Sequence, residues 1–383
     1  MFEEMPMSEH RTRDYAMIST YPPTQCGIAT FAAALSGGLY ELGDDVGIVR
    51  VGGENDPAKE IVVAELTGQH GELTLGARTE LNRADVVIVQ HEYGIYDGPD
   101  GEDIVGVLEE IDRPTIVVVH TVLENPTQHQ RLVLEAVVRA ADAVVVMTEA
   151  GRQRLCNSFD VDKRKISVIP HGALVSDAVR LEESNAQPRL LTWGLLGPGK
   201  GIEWVIESLV GLKRLDPVPL YVIAGRTHPK VLAREGESYR QSLIKMVEDL
   251  GVSHMVSFDN SYRDLLSLTS LIESADVVVL PYDSKDQATS GVLVDAIAAG
   301  RPVVATSFPH AIELLGTGAG IVVNRKDPQA IGRALKEIIT EPEVAERMAR
   351  EARRLAVGLS WESVAQQYFA MNDLLFKRVD VPA

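Results

Sequence analysis

The chain has 383 residues, and 37 Lys plus Arg against 55 Asp plus Glu leave a net charge of −18. That balance argues against a standing nucleic-acid or anionic-membrane surface, because neutralising phosphates takes clustered Lys and Arg. At about 150 residues per domain the length predicts two or three domains, and 45% hydrophobic with 24% charged residues excludes wholesale disorder. Two cysteines, Cys26 and Cys156, are too few for a disulfide framework and form no Cys-x-x-Cys pair. The stretch MFEEMPMSEHRTRDYAM lacks the apolar core of a signal peptide, and no apolar run reaches the ~20 residues of a membrane span. The expectation is a cytoplasmic protein with an aliphatic core.

Short Val/Ile/Leu runs recur along the chain. The first half carries AMIST (16–20), VGIVRV (46–51), DVVIVQ (85–90), TIVVVH (115–120), AVVVM (143–147) and ISVIP (166–170). The second carries LLTWG (190–194), LYVIAG (220–225), MVSF (255–258), DVVVLP (276–281), PVVAT (302–306) and GIVV (320–323). Continuous apolar runs without alternation fit parallel strands buried on both faces. Segments between them, such as Gly201–Leu215, Arg240–Leu250 and Pro328–Ile339, have helical spacing, so the chain predicts an α/β fold with two doubly wound sheets. ADVVIVQ, ADAVVVM and ADVVVLP each read as a helix end, a turn Asp and a buried strand. Polar Gly172–Pro188 is the predicted break, with domains over 1–180 and 181–357. The last segment (358–383) holds a helix, with Val364, Tyr368, Met371, Leu374 and Leu375 as its apolar stripe and no strand after it.

Open doubly wound sheets bind ligands beyond the carboxyl ends of their strands. After the first strand, Gly27 opens a helix whose N–H groups could meet a polar ligand. His91, Glu92 and Tyr93 follow DVVIVQ, and His120 ends TIVVVH; histidines at two strand ends are candidate ligand contacts. WGLLGPGKG (193–201) combines flexible backbone, Lys200 and a helix start, the physics of a phosphate site, although Gly201 stands where a Walker loop needs a hydroxyl. In DQATSGVLVDAIAAGRPVVAT (286–306), Gln287, Thr289, Ser290, Gly291 and Val292 precede or open a helix whose N–H groups suit a diphosphate, and Asp295 sits 295 − 287 = 8 positions after Gln287.

Taken together, these residues resemble the retaining glycosyltransferases of family four (glycosyl transferases group 1), with matching pieces from Thr20 to about Tyr368. VIPHG (168–172) resembles the family's VxPNG with His171 for Asn, GLLGPGKG its GRxxxxKG with Leu195 for Arg, and Gln287 and Asp295 its Glu-x7-Glu signature. The resemblance implies the GT-B architecture: two Rossmann-like domains facing across a cleft, the SWESVAQQY helix crossing back to the N-domain. It implies an acceptor-binding N-domain with Gly27, His91, Glu92 and Tyr93 near ligand, and a C-domain that binds the nucleotide sugar. Lys200 and the N–H groups of Ser290 and Gly291 fall on the diphosphate, Asp295 on the ribose, and Gln287 and His120 near the transferred sugar.

The implied reaction moves a mannosyl or glucosyl group from a GDP- or UDP-hexose, as substrate, to a hydroxyl acceptor with retention, without a metal or further cofactor. Partners would be that donor and a saccharide or small-molecule acceptor, with no nucleic acid and with peripheral membrane contact left open. Three alternatives stand beside it. A non-hydrolysing nucleotide-sugar epimerase would share the architecture, a two-lobed solute-binding protein would lack a use for Lys200, and a catalytically degenerate relative would bind nucleotide sugar only. Leu195 and the two lost glutamates point toward the last.

Overall fold

The computed structural model describes residues 12–52, 60–66, 73–175, 187–261, 263–284 and 287–379. The chain forms two compact units, Met1–Pro170 with Trp361–Ala383, and His171–Ser360. Most of the predicted break, residues 176–186, lies outside the described residues.

The first unit holds β1 (Asp14–Ser19), α1 (Gly27–Glu41), β2 (Asp45–Val51), β3 (Val62–Leu66), α2 (Leu75–Arg83), β4 (Val86–His91), α3 (Asp103–Glu109), β5 (Thr115–Val119), α4 (Gln128–Ala140), β6 (Ala143–Val146), α5 (Glu149–Ser158) and β7 (Ile166–Val168). The sheet is parallel throughout, in the order β3-β2-β1-β4-β5-β6-β7. The second unit holds β8 (Arg189–Trp193), α6 (Ile202–Leu209), β9 (Leu220–Ala224), α7 (Pro229–Glu235), α8 (Ser238–Asp249), β10 (Val256–Asp259), α9 (Leu265–Glu273), β11 (Val277–Leu280), α10 (Gly291–Ala298), β12 (Val303–Thr306), α11 (Pro309–Leu315), β13 (Gly320–Val323), α12 (Pro328–Thr340) and α13 (Pro342–Ala356). Its sheet, also parallel, runs β10-β9-β8-β11-β12-β13. All twelve apolar runs are strands. The thirteenth, β3, was not among them: it is an edge strand with no fully buried residue, so it lacks the unbroken apolar signature.

Both faces of each sheet are packed, which is why the strands are apolar without alternation. In the first unit Val87, Val89 and Val117 point to one layer, and Ile88, Ile116 and Val118 to the other. The recurring Ala-Asp has a physical cause. Asp85, Asp142 and Asp276 each stand just before a strand and accept the first N–H of its neighbour, from Asp14 (3.1 Å), Thr115 (2.8 Å) and Arg189 (2.7 Å). Each thereby satisfies a donor that the ladder leaves open.

The closing helix, α14 (Trp361–Val379), lies on α1. Gly38 of α1 permits the approach, since a Cβ there would meet Trp361 O at 2.9 Å and Ala365 Cβ at 3.2 Å. Val364, Ala365, Tyr368 and Leu375 are buried there. Leu374, placed on the apolar stripe by its spacing, is 61% exposed, and the buried position belongs to Asn372, whose Nδ2 donates to Tyr15 Oη at 3.0 Å. A hydrogen-bonded amide is thus buried where the pattern expected a polar surface, and a leucine of the expected stripe is left outside.

Candidate active site

In both sheets the strand order reverses once, between β1 and β4 and between β8 and β11. Loops beyond the strand ends at such a reversal diverge and leave room for a ligand. The sequence-predicted residues cluster at these two points.

In the second unit, the loop from Gly194 to Gly201 is laced to its neighbours. Gly194 N donates to Ala224 O (3.0 Å), Leu196 N to Arg226 O and His228 N to Leu196 O (both 2.8 Å). Its far end is fixed by Asp283 N donating to Gly199 O (2.9 Å) and by Trp204 Nε1 donating to Asp283 Oδ1 (2.9 Å). Gly201 has φ +70°, and a Cβ there would sit 1.8 Å from Pro281 O, so only glycine fits. This framework sets Lys200 Nζ over the Tyr282 ring, 4.8 Å from its centroid. Lys200 is half-buried, no carboxylate lies within ion-pair reach of it among the described residues, and burial pushes its ammonium pKa down. Among the described residues it is a desolvated cation without a counter-ion.

Tyr282 also reaches the start of α10. Its hydroxyl is hydrogen-bonded to the Ser290 side chain, Thr306 Oγ1 donates to its carbonyl (2.6 Å), and its ring lies 5.3 Å from that of Phe308. Ser290 caps α10, its Oγ accepting Leu293 N–H at 3.2 Å. The expectation that Ser290 N–H is free for a diphosphate is corrected: it donates to His310 Nδ1 at 2.9 Å. The N–H groups of Gly291 and Val292 keep no partner among the described residues, as the first turn of a helix leaves them. Gly291 is required as glycine, since a Cβ would meet His171 Nε2 at 2.8 Å. Asp295 lies on the same helix, its carboxyl without a hydrogen-bond partner among the described residues, and burial raises its pKa to about 7. Gln287 is turned onto its own loop, Nε2 donating to the carbonyl of half-buried Thr289 at 2.8 Å.

In the first unit, α1 starts at Gly27 with Cys26 as cap, its Sγ accepting Ala29 N–H at 3.4 Å. A Cβ at Gly27 would meet nothing within 4 Å. His120 is held by its backbone N–H on His91 O (3.0 Å), by Nε2 on Gln90 Oε1 (2.7 Å) and edge-on by Phe31 (4.9 Å). His91 is 1% exposed, its ring nitrogens lack partners among the described residues, and burial lowers its pKa to about 4. It packs in the core against Tyr93 (5.3 Å), which burial holds above the usual phenol range. Glu92 accepts the N–H of Tyr93 (3.1 Å). His91, placed near ligand by its position in the sequence, is the last residue of β4 and keeps its side chain buried.

Sequence reasoning missed Gln90, Tyr282 and His310. Each stands within a few residues of the end of a buried strand, and that position was the available signal. Among the described residues no group of three His, Cys, Asp or Glu could hold a metal, and no helix is long and apolar enough to cross a membrane.

A two-sheet Rossmann-like fold with a glycine-held lysine and an open helix start at the second switch point defines a GT-B-type protein. Family models match accordingly: Glycosyltransferase Family 4 over residues 26–173 and Glycosyl transferases group 1 over residues 177–355. The chain belongs to the group 1 glycosyltransferases of GT-B fold. It is 28% identical over 255 residues to D-inositol 3-phosphate glycosyltransferase of Corynebacterium urealyticum, covering 63% of this chain and 58% of that protein. It is 27% identical over 221 residues to O-antigen chain mannosyltransferase RfbU of Salmonella typhimurium, covering 57% and 56%. The chain thus covers less than two thirds of the length of these curated relatives. HepE of Anabaena, solved in complex with UDP, has the same fold, with TM-score 0.73 at 16% identity over 94% of this chain and 99% of that one.

Proposed function

We propose that this chain is a retaining hexosyltransferase that moves a mannosyl or glucosyl group from a GDP- or UDP-hexose to the hydroxyl of a saccharide or small-molecule acceptor. The observation that carries the reading is Lys200: a half-buried ammonium with no counter-ion among the described residues, joined through Tyr282 to a helix start whose Gly291 and Val292 N–H groups have no partner among them. A diphosphate supplies the missing negative charge and gains strength in the departing state, as its own charge develops. Asp295 takes a ribose hydroxyl, and Gln287 and His120 take hydroxyls of the transferred sugar. Gly27, Glu92 and Tyr93 serve the acceptor, whose identity follows from loops of the first unit.

In the reaction a bond forms between acceptor oxygen and anomeric carbon while the bond from that carbon to the diphosphate oxygen breaks. The acceptor proton passes to the leaving diphosphate on the same face, so the configuration is retained and no enzyme nucleophile is needed. Lys200 and the α10 N–H groups neutralise the leaving group without a metal.

Calorimetry against UDP-, GDP-, ADP- and dTDP-sugars, then nucleotide release with and without acceptors and with chelator, tests this. Binding of no nucleotide sugar refutes it. A specific observation favours one other reading, a nucleotide-sugar binder without transfer: Gln287 is neutral and spends its amide N–H on its own loop. Tight binding with no release for any acceptor would select that reading.

A further inference from the structure

Ser290 and His310 are both buried, and a hydrogen bond joins them: Ser290 N–H donates to His310 Nδ1 at 2.9 Å. A backbone N–H can only donate, so Nδ1 carries the lone pair. Burial lowers the pKa of the ring to about 3, with nearby His171 acting in the same direction. The ring is therefore neutral, and its proton sits on Nε2. His310 lies in the first turn of α11, and the segment that leads into it from β12 supports the same place twice more. Thr306 Oγ1 donates to Tyr282 O at 2.6 Å, and the Phe308 ring lies 5.3 Å from the Tyr282 ring. Tyr282 in turn carries Lys200 on its ring and Ser290 on its hydroxyl. Thr306, Phe308 and His310 thus back both parts of the candidate diphosphate site, the cation and the start of α10.

We propose that His310 is a positioning residue for the donor diphosphate, binding Ser290 N–H so that α10 offers the N–H groups of Gly291 and Val292 in a fixed direction. This rests on the reading that a nucleoside diphosphate binds at Lys200 and α10. It says which backbone donors that ligand meets, and why Ser290 N–H is not one of them. Ser290 is also the cap of α10, its Oγ accepting Leu293 N–H at 3.2 Å, so a shift of its backbone moves the first turn. Without an acceptor at Nδ1 the buried N–H would be left unpaired or would turn toward the ligand. Either way the two remaining donors lose the preorganisation that favours a developing charge.

Nitrogen NMR on deuterated, labelled protein reads the bond itself, as a coupling between Ser290 N and His310 Nδ1 across the hydrogen. UDP, GDP, ADP and dTDP serve as probes, with their nucleosides as controls that lack phosphate. The coupling is expected in the free protein and should persist when a nucleotide binds, while the Gly291 and Val292 amide signals move. No coupling in the free protein, or its loss on binding, overturns the proposal. His310→Phe keeps a ring without an acceptor, and calorimetry should show the diphosphate Kd raised tenfold or more with the nucleoside Kd little changed. His310→Asn, whose Oδ1 can accept in place of Nδ1, should stay within roughly threefold of the wild type. A folded His310→Phe protein that binds the diphosphate as tightly as the wild type, or more tightly, overturns the positioning role. Should that variant fail to fold, the coupling with and without nucleotide still decides the matter. If the wild type shows the coupling but binds none of the four nucleotides, it is the reading of the diphosphate site that fails, and the positioning role falls with it.

Discussion

Replacing Lys200 by Met keeps most of the aliphatic stem and removes only the charge. In the free protein that charge is half-buried over the Tyr282 ring, and no carboxylate among the described residues offsets its lost hydration. Its folded pKa is depressed, so between that value and the ordinary lysine pKa the unfolded chain binds more protons, and the native state is favoured as pH rises through the window. At neutral pH the ammonium is a cost to folding, and Lys200→Met is expected to leave the melting temperature unchanged or raise it. Binding is affected in the opposite sense. A charged hydrogen bond to a diphosphate contributes about 1.5–3 kcal/mol, so the nucleotide-diphosphate Kd should rise roughly 10- to 150-fold. Because the bound anion restores the lysine pKa, wild-type binding should take up protons at alkaline pH, and Lys200→Met should abolish that uptake. Calorimetry in two buffers of different ionisation enthalpy reads both quantities. A folded Lys200→Met protein with unchanged nucleotide affinity would falsify the assignment of the phosphate site; one that is markedly less stable would refute the unpaired-charge argument.

Gly201→Ala forces a positive φ on alanine, about 1–2 kcal/mol, and drives its Cβ into Pro281 O, so lower thermal stability and weaker nucleotide binding should appear together. Gly27→Ala meets open space and should leave stability unchanged or slightly higher, while acceptor KM rises if that helix start touches ligand; an unchanged KM removes Gly27 from the site. His91 and His310 are buried with pKa values lowered to about 4 and about 3, so their neutral forms stabilise the fold above the unfolded value of 6.5. As pH falls from 6.5 toward 4 each should withdraw up to on the order of 3 kcal/mol, and chemical denaturation of His91→Phe should show a visibly flatter acid limb. Asp295, raised to about 7, acts oppositely: the native state holds its proton, stability drops as pH climbs from about 4 to 7, and Asp295→Asn should be the more stable protein at pH 8. Gly38→Val should cost about 1–3 kcal/mol by pushing α14 off α1, seen as a lower denaturant midpoint; an unchanged midpoint would mean the two helices yield at no cost.

Strand order and parallel packing were legible because an apolar run buried on both faces announces itself in composition, as TIVVVH and DVVVLP do. Edge strand β3 did not, since half-exposed Val62 and Leu66 carry no such pressure. The glycines of the two candidate phosphate loops were legible for a similar reason: the backbone of Pro281 demands Gly201, and the ring of His171 demands Gly291. What escaped is pairing across long sequence distances. Nothing near Ser290 in the chain tells that His310, twenty residues on, takes its N–H, or that Gln90 and His120, thirty apart, share a hydrogen bond. Periodicity also misjudged Leu374 against Asn372, because a side chain that finds a buried partner defeats a pattern based on hydrophobicity alone.

Because α14 belongs to the first unit yet is encoded after the whole of the second, the order of synthesis matters. A ribosome releasing this chain from its N-terminus completes seven strands and then some two hundred further residues before Trp361 emerges. Until then Phe31, Leu35 and Tyr15 lack the helix that covers them, and the nascent first unit presents an apolar strip to solvent or to a chaperone. The second unit, continuous from His171 to Ser360, carries no such debt and can fold before the first is finished. Chain truncations just short of Trp361 should accordingly aggregate through the first unit while leaving the second intact.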